Sequence, residues 1–428
     1  MSEKSTRRGF LAALGGLLAS AGVAGAQTSG EHTGHAGAPA MPGMAPPQSP
    51  APAPGGNMAP MAGMPPGGHL EHMGGMGPRF AWRDPARPLS PPPATMGRQM
   101  GRVHTLNVPP LGYERDGEVK VFRLVAQPVA RMLTDGKPKA SWEIIAENRR
   151  YMGGMKHHYP RRALLWGYNG QMPGPTLECT QGDRIRVILK NELPEPTSIH
   201  WHGLEVPNDM DGAGGTTEPV TPPGGTRVYE FTLHQVGTYM YHTGFNMMKQ
   251  DGLGLGGFLV IHPAEPPAQK IDHDVAIMLQ AFALAPGNDF PNLATMDFNW
   301  FTFNGTVAPD VEFITVNLND RVRIRFGNLT MSSHPIHLHG HTWRVVGTEG
   351  GPIPPSAQWP GNTVNVAPGT TRDVEFVANN PGIWRMHCHK LHHTMNAHAQ
   401  VPLGVMSVGG MFTLLHVKEP SGKGGHHA

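Results

Sequence analysis

The stretch Asp183–Val187 (Asp-Arg-Ile-Arg-Val) recurs as Asp320–Ile324 (Asp-Arg-Val-Arg-Ile). The same spacing carries His200–Gly203 (His-Trp-His-Gly) onto His337–Gly340 (His-Leu-His-Gly). A repeat of about 135 to 145 residues indicates a duplicated domain, because the units of solenoid proteins are much shorter. The chain of 428 residues is long enough for two such domains.

Both copies have the pattern of β-strands. Apolar and polar residues alternate at Ile185, Val187 and Leu189 in the first copy and at Val322, Ile324 and Phe326 in the second. The turn dipeptides Asn169-Gly170 and Asn304-Gly305 open the two copies. No long apolar stripe of helical period competes with this pattern. We therefore predict an all-β chain of two tandem Greek-key β-sandwich or barrel domains, at about 105–265 and 268–420.

Histidine clusters occupy matching places in the two copies. A second pair of recurring segments aligns Tyr241-His242-Thr243 with Met386-His387-Cys388. In this alignment Thr243 matches Cys388, and Gly244 matches His389. One thiolate among several imidazoles is a ligand set that suits copper. Neighbouring residues in a strand point to opposite faces, so Cys388 can bind one metal while His387 and His389 bind others. The other cysteine, Cys179, is predicted to be a core residue without a disulfide partner.

The N-terminal part differs from the rest of the chain. Residues 1–26 contain Arg7-Arg8, an apolar run and Ala24-Gly25-Ala26, which predict a twin-arginine signal peptide and bacterial export. Residues 27–104 are rich in Pro, Gly, Met and His and are predicted to be a disordered arm. Its Met and His side chains are either ligands for Cu(I) or low-complexity filler: Met41, Met44, Met58, Met61, Met64, Met73, Met76, His32, His35, His69 and His72.

Two further properties limit the classes of partner. A formal net charge of +2 argues against nucleic acid as the main partner. Beyond the signal peptide no stretch of about 18 apolar residues occurs, so the mature chain is expected to have no membrane span. Residues 421–428 form a short tail that contains histidine.

Three motifs resemble those of a known family: His200–Gly203, His334–His341 (His-Pro-Ile-His-Leu-His-Gly-His) and His387–His393 (His-Cys-His-Lys-Leu-His-His). In this order they resemble the multicopper oxidases, specifically the two-domain laccase-like branch built from cupredoxin domains. The resemblance covers nearly all of the chain after about residue 100. It implies that His334, Cys388 and His393 hold a type 1 copper, where electrons enter. The axial ligand of this copper is either His398, which stands at the position of the axial ligand in the family, or Met395.

The resemblance also implies a trinuclear copper cluster that reduces dioxygen. The type 2 copper would be held by His200 and His337. One type 3 copper would be held by His202, His242 and His389, and the other by His339 and His387. The family supplies one more histidine, at the position that Gly244 occupies here. The type 3 pair is therefore expected to be incomplete, or completed by solvent, Asn246, Met247 or Met248. Asp211 matches an acidic residue that assists protonation near the type 2 copper.

These implications describe a copper-dependent oxidase with about four coppers per subunit. It would take single electrons from a phenol or from a low-valent metal ion such as Cu(I), and reduce dioxygen to water. The arm favours metal oxidation in copper tolerance. Two-domain relatives build their cluster between neighbouring subunits, so a homotrimer is implied. The expected location is periplasmic or secreted, in a bacterium.

Two other functions remain open at this point. A periplasmic copper-binding or electron-transfer protein with an impaired oxygen site is compatible with Gly244. A copper nitrite reductase also has two cupredoxin domains, but it would place the type 1 cysteine in the first domain, where Thr243 stands.

Overall fold

The structure is a computed structural model, and it describes residues 102–135, 160–396 and 409–419. The predicted signal peptide, nearly all of the arm, the tail and His398 lie outside these residues. The secondary structure of the described residues is almost entirely β, which confirms the predicted fold class. None of their helices has the length and hydrophobicity that crossing a bilayer requires.

The first ten strands are β1 (Val103–Thr105), β2 (Glu114–Asp116), β3 (Val119–Thr134), β4 (Arg161–Tyr168), β5 (Leu177–Thr180), β6 (Arg184–Asn191), β7 (His200–His202), β8 (Thr226–Thr232), β9 (Gly237–His242) and β10 (Gly256–His262). A short helix, α1 (Met247–Gln250), and a 3-10 turn (Asn208–Met210) lie between them.

The later strands are β11 (His273–Phe282), β12 (Trp300–Phe303), β13 (Ile314–Asn317), β14 (Arg321–Asn328), β15 (His334–Leu338), β16 (Trp343–Thr348), β17 (Gly351–Pro352), β18 (Trp359–Gly361), β19 (Thr363–Val366), β20 (Thr371–Val377), β21 (Gly382–Cys388) and β22 (Phe412–Lys418). They are accompanied by a 3-10 turn (Pro355–Ala357) and by helix α2 (Leu391–Met395).

Two sheets form the first sandwich. One has the order β2-β3-β6-β8 with β4 on β3, and the other has the order β5-β10-β9-β7. The alternating residues of β6, Ile185, Val187 and Leu189, are fully buried between the sheets together with Trp201 of β7 and Tyr241 of β9. This core therefore fixes β7 and β9, the two strands that carry the histidines of the first half.

The second sandwich repeats this arrangement. Its sheets have the orders β1-β11-β14-β20-β16-β17, with β12 on β11 and β18 on β16, and β13-β22-β21-β15-β19. Ile336 of β15 and Met386 and Cys388 of β21 are buried in its core with Val322 and Ile324 of β14. Residues 103 and 104, assigned to the arm from sequence, belong to β1, which pairs in parallel with β11.

The duplication extends to single hydrogen bonds. Asn169 and Asn304 both have positive φ angles, 54° and 50°, and each is followed by a glycine of positive φ in a two-residue turn. The Asn169 side-chain oxygen accepts a hydrogen bond from the Val125 amide, and the Asn304 oxygen accepts one from the Met278 amide. The two turns close their sheets in the same way, as the sequence repeat predicts.

The two sandwiches pack against each other through apolar side chains and through hydrogen bonds to Thr238. Met240 and Phe258 of the first lie against Ala276 and Met278 of the second. Beside them Arg325, whose side chain is 3% exposed, forms ion pairs with Asp274 and Asp373. Its guanidinium also donates to the hydroxyl of Thr238 at 2.7 Å. This contact joins β9, which ends at His242, to the second sandwich.

Candidate metal centres

One cysteine and two histidines converge in the core of the second sandwich. His334 begins β15, Cys388 ends β21 and His393 lies in α2. The Cys388 Sγ atom lies 3.8 Å from His334 Nδ1 and 3.6 Å from His393 Nδ1, and the two Nδ1 atoms are 3.0 Å apart. All three residues are buried. The structure thus brings together the residues expected at the type 1 centre, with one donor atom of each pointing inward.

Neighbouring side chains orient the two imidazoles. His334 Nε2 donates to the Thr330 hydroxyl at 2.8 Å, and that hydroxyl donates to the Ser332 carbonyl, so Nδ1 of His334 is the free acceptor. Phe301 of β12 stacks on the His393 ring, with 3.7 Å between ring centroids. Neither Thr330 nor Phe301 was found from the sequence, because neither stands at a fixed spacing from a histidine motif.

Burial determines the charge of this centre without a metal. It lowers the pKa of His334 to about 3 and that of His393 to about 2, and it raises the pKa of Cys388 to about 11. At neutral pH the site holds two neutral imidazoles and a thiol, and metal binding would displace the thiol proton. Two nitrogen donors and one sulfur donor fit copper. Met395, the described candidate for an axial ligand, is half-buried at the end of α2.

Three histidines form a second group in the first sandwich. His200 and His202 lie at the ends of β7, and His200 is paired with His242 across the β7–β9 ladder. The ligand nitrogens of all three lie within 4.8 Å of one another, and His202 Nδ1 is 3.0 Å from His242 Nε2. Burial, followed by the nearby His242, lowers the pKa of His202 to about 4. These imidazoles are suited to bind a metal.

Two acidic residues lie at the outer nitrogens of this group. His200 Nδ1 donates to the Asp211 carbonyl at 2.9 Å, and the Asp211 carboxylate is 3.5 Å from the same nitrogen. His242 Nδ1 donates to the Thr243 carbonyl at 2.9 Å and lies 3.3 Å from the carboxylate of Asp251. Asp211 was expected here, whereas nothing in the spacing of Asp251 from His242 marked it. Both contacts leave Nε2 of the ring free for a metal.

Four histidines form a third group, on the second sandwich. His337 faces His387 across the β15–β21 ladder, and His339 Nε2 lies 3.2 Å from His387 Nε2. The ring centroids of His337 and His389 are 5.6 Å apart. His337 Nδ1 donates to the Asn362 carbonyl and His387 Nδ1 to the Cys388 carbonyl, so both present Nε2. Cys388 points into the core while His387 is half-buried and His389 is exposed, the alternation expected of a strand.

The second and third groups are separate within one chain. In the described parts of the sequence, no hydrogen bond or ring contact joins His200, His202 or His242 to the four histidines of the second sandwich. The candidate trinuclear ligands therefore occupy two half-sites, each carried by a different sandwich.

The place of the missing histidine is closed. A Cβ atom on Gly244 would overlap the carbonyl oxygen of Gly212 and lie 2.9 Å from the hydroxyl of Ser198. Ser198 donates to that carbonyl at 2.7 Å, and the Gly244 carbonyl accepts from the Gly214 amide at 3.1 Å. Glycine is therefore required at this position, and the loop 212–214 fills the space that a side chain would need.

The first sandwich also has a counterpart of the cysteine centre, without its ligands. The repeat places Thr197 where the second copy has His334, and Thr243 where it has Cys388. Both hydroxyls donate to the side-chain oxygen of Gln250 at 2.7 Å, and all three residues are fully buried. A hydrogen-bonded polar cluster replaces the metal centre here.

Comparisons with known proteins agree with this arrangement. Family models described as multicopper oxidase match residues 154–266 and 283–401. Copper resistance protein A of Pseudomonas syringae pv. tomato is 40% identical over 119 residues, which are 28% of this chain and 19% of that protein. The chain thus matches about a fifth of that relative's length.

Solved structures match over a greater length. The blue copper oxidase from Nitrosomonas europaea is 27% identical with a TM-score of 0.58, covering 70% of this chain and 86% of that one. The multicopper oxidase mgLAC is 25% identical with the same TM-score and the same coverage of both chains.

Proposed function

Because this chain belongs to the multicopper oxidase family, we propose that it takes single electrons at the Cys388 centre and passes them to dioxygen, which is reduced to water. The observation that carries the proposal is the position of Cys388 in β21. Its Sγ lies with His334 and His393 in the core, while its neighbours His387 and His389 belong to the imidazole group outside. One short piece of strand therefore links an electron-entry centre to an oxygen site.

The residues have distinct tasks in this reaction. His334, Cys388 and His393 would hold the type 1 copper, His200 and His337 the type 2 copper, and the type 3 coppers would be held by His202, His242, His339, His387 and His389. Copper bound there would supply one-electron chemistry and dioxygen binding. The His387 ring donates to the Cys388 carbonyl at 3.0 Å, which gives a bonded route of a few atoms between the two centres. Asp211, beside His200, would deliver protons.

We propose a low-valent metal ion such as Cu(I) as the reductant, ahead of a phenol. The copper resistance protein among the relatives supports this choice. Met331 is 64% exposed and follows Thr330, the partner of His334, so a soft thioether lies near the entry centre at the surface. The Met-rich and His-rich arm, outside the described residues, adds further soft donors, which supports a role in copper tolerance.

Oxygen consumption tests the proposal. Purified protein loaded with copper should consume oxygen with Cu(I), with about one dioxygen reduced for every four Cu(I) oxidised. Replacement of Cys388 by serine should abolish this consumption while the fold is retained. A blue protein that consumes no oxygen with either Cu(I) or a phenol would instead be an electron-transfer or copper-binding protein, the second candidate, which Gly244 favours.

A nitrite reductase is disfavoured by the first sandwich. That function would need a thiolate at 243, where Thr243 is buried in hydrogen bonds with Gln250. Our proposal retains a head-to-tail homotrimer, because each chain presents two separate half-sites and such contacts close in a ring. It also retains export by the signal at 1–26 and a periplasmic or secreted location. The domain limits 105–265 and 268–420 are retained except for β1 (Val103–Thr105), which pairs with β11 of the second sandwich.

A further inference from the structure

We propose that the copper position formed by His339 and His387 is exchangeable, and that it fills only when copper is abundant, so that oxygen reduction is switched on by copper supply. This inference rests on the proposed function. It concerns one of the coppers of that site and assigns it a regulatory role. The other positions would stay occupied at low copper.

The two half-sites have one imidazole fewer than the oxygen site that the resemblance implies. Four of the candidate ligands belong to the second sandwich: His337, His339, His387 and His389. Three belong to the first sandwich, His200, His202 and His242, because Gly244 stands in the place of His389. The two half-sites together therefore have seven imidazoles, and the one that is absent would have stood beside His242.

The backbone around Gly244 leaves no room for a donor side chain at this position. The carbonyl of Gly212 occupies the space next to Gly244 and is held there by the Ser198 hydroxyl. Gly212 has a φ of 81°, and a Cβ atom on it would overlap the Ile199 carbonyl, so this loop is itself fitted to its place. The gap in the ligand set is thus built into the backbone of loop 212–214.

Asn246, Met247 and Met248 are the side chains near Gly244 in sequence that could replace the absent histidine. Asn246 has its amide nitrogen bonded to the Glu195 carboxylate at 3.1 Å. Met247 and Met248 on α1 are 54% and 75% exposed, so both side chains lie largely in solvent. Among the described residues, the groups of three or more donors that fit a metal include neither His339 nor His387.

A site with two protein donors binds copper more weakly than its neighbours with three. Loss of even an indirect partner of a metal ligand typically weakens affinity by about 10- to 100-fold, and loss of a direct donor should cost at least as much. We therefore expect the copper at His339 and His387 to dissociate at chelator concentrations that leave the other positions filled.

Copper counting combined with electron paramagnetic resonance tests this inference on the full-length protein. Two adjacent bridged Cu(II) ions couple and give no signal, whereas a single Cu(II) ion gives one. Protein washed with a mild chelator should hold about three coppers per subunit, all of them visible. Addition of CuSO₄ should raise the copper content by about one per subunit while the visible spins fall by about one, and oxygen consumption should begin.

Variants make the assignment specific. His339→Ala should abolish both the extra copper and the loss of signal. His416→Ala, which removes a half-buried imidazole of β22 from the same sandwich, should change neither. Met247→Leu with Met248→Leu should also leave the titration unchanged. Loss of tightly bound copper in that double variant would show a thioether as the third donor and overturn the inference.

Two results of the titration separate this inference from the proposed function. Washed protein that retains about four coppers, two of them silent, would overturn the inference and leave the oxidase intact. Washed protein that retains copper only at the Cys388 centre, and that gains no silent pair with added copper, would overturn both.

Discussion

Thr330 decides which nitrogen of His334 faces Cys388. Its hydroxyl accepts from His334 Nε2 and donates to the Ser332 carbonyl, so it fixes both the tautomer and the ring. Thr330→Val keeps the shape of the side chain and removes this bond, and the affinity of the proposed type 1 centre for copper should fall by about 10- to 100-fold. Competition with a chelator, followed by the blue absorption, measures it. Thr315→Val, at an exposed threonine of β13, is the control, and equal affinities in the two variants would contradict the prediction.

Asp251 orients the ring of His242, as Thr330 orients the ring of His334. Its carboxylate lies 3.3 Å from His242 Nδ1 and also accepts from the Thr243 amide. Asp251→Asn retains the size of the side chain but removes the charge that favours Nδ1–H, and copper affinity of the first sandwich should fall by about 10-fold. Calorimetric titration would detect the change. Asp209→Asn, at an exposed site in the nearby 3-10 turn, should have no effect on that titration.

The grouping of the histidines in space was predictable from sequence because their spacing is local. His200 and His202 are neighbours on one strand, and the repeat identified their counterparts His337 and His339. Asp251 and Thr330 were not predictable, since each acts through a side-chain orientation that spacing along the chain does not reveal. Metal ligands recur at fixed intervals, whereas the residues that orient them do not.

At the scale of elements, strand periodicity predicted the opposite orientations of Cys388 and its neighbours. It could not predict the surroundings of Gly244, because the carbonyl that fills the space belongs to Gly212, on a different loop. From sequence, Gly244 was only an absent ligand. The structure makes it a position where two loops touch, and a histidine introduced there would have to displace backbone.

The close approach of Gly244 to the Gly212 carbonyl predicts a loss of stability when a side chain is added at Gly244. Gly244→Ala should destabilise the protein by about 1–3 kcal/mol, because the added methyl group overlaps the Gly212 carbonyl. Urea unfolding of the metal-free protein measures the difference. Gly350→Ala is the matched control, since a Cβ atom there meets only the Thr348 hydroxyl, at 3.6 Å. If both variants unfold at the same urea concentration, loop 212–214 is less closely fitted than the structure indicates.

At the scale of the whole molecule, Asp274 is one of the two ion-pair partners of Arg325, the residue whose guanidinium also bonds to Thr238 of the first sandwich. Burial tends to raise the pKa of Asp274, but the attraction of Arg325 outweighs this effect and holds the pKa below its ordinary value. Asp274→Asn leaves Arg325 buried with half of its charge partners and should cost about 3 kcal/mol at neutral pH. Asp272→Asn, at an exposed carboxylate nearby, should cost far less.

The loss of stability caused by Asp274→Asn should depend on pH, and the direction of this dependence follows from the pKa of Asp274. A carboxylate whose folded pKa is lowered stabilises the protein above its unfolded pKa of about 4, and this contribution is lost as the pH falls through the folded value. As the pH falls, the wild type therefore loses the stabilisation by ionised Asp274, which the Asp274→Asn variant lacks at every pH. The difference in unfolding free energy between the two proteins should begin to shrink as the pH falls below about 4. A deficit that stays constant down to pH 3 would assign the effect to packing.

Subunit complementation tests the assembly of the whole molecule. His200→Ala removes a ligand from the first sandwich and His337→Ala one from the second, so each variant alone should lack oxidase activity. In a head-to-tail ring each oxygen site combines the first sandwich of one subunit with the second of the next. Random co-assembly of equal amounts then makes about one site in four intact, so about a quarter of wild-type oxygen consumption should return on co-expression. If each chain completed its own site, every subunit in the mixture would carry one defect and no activity would return.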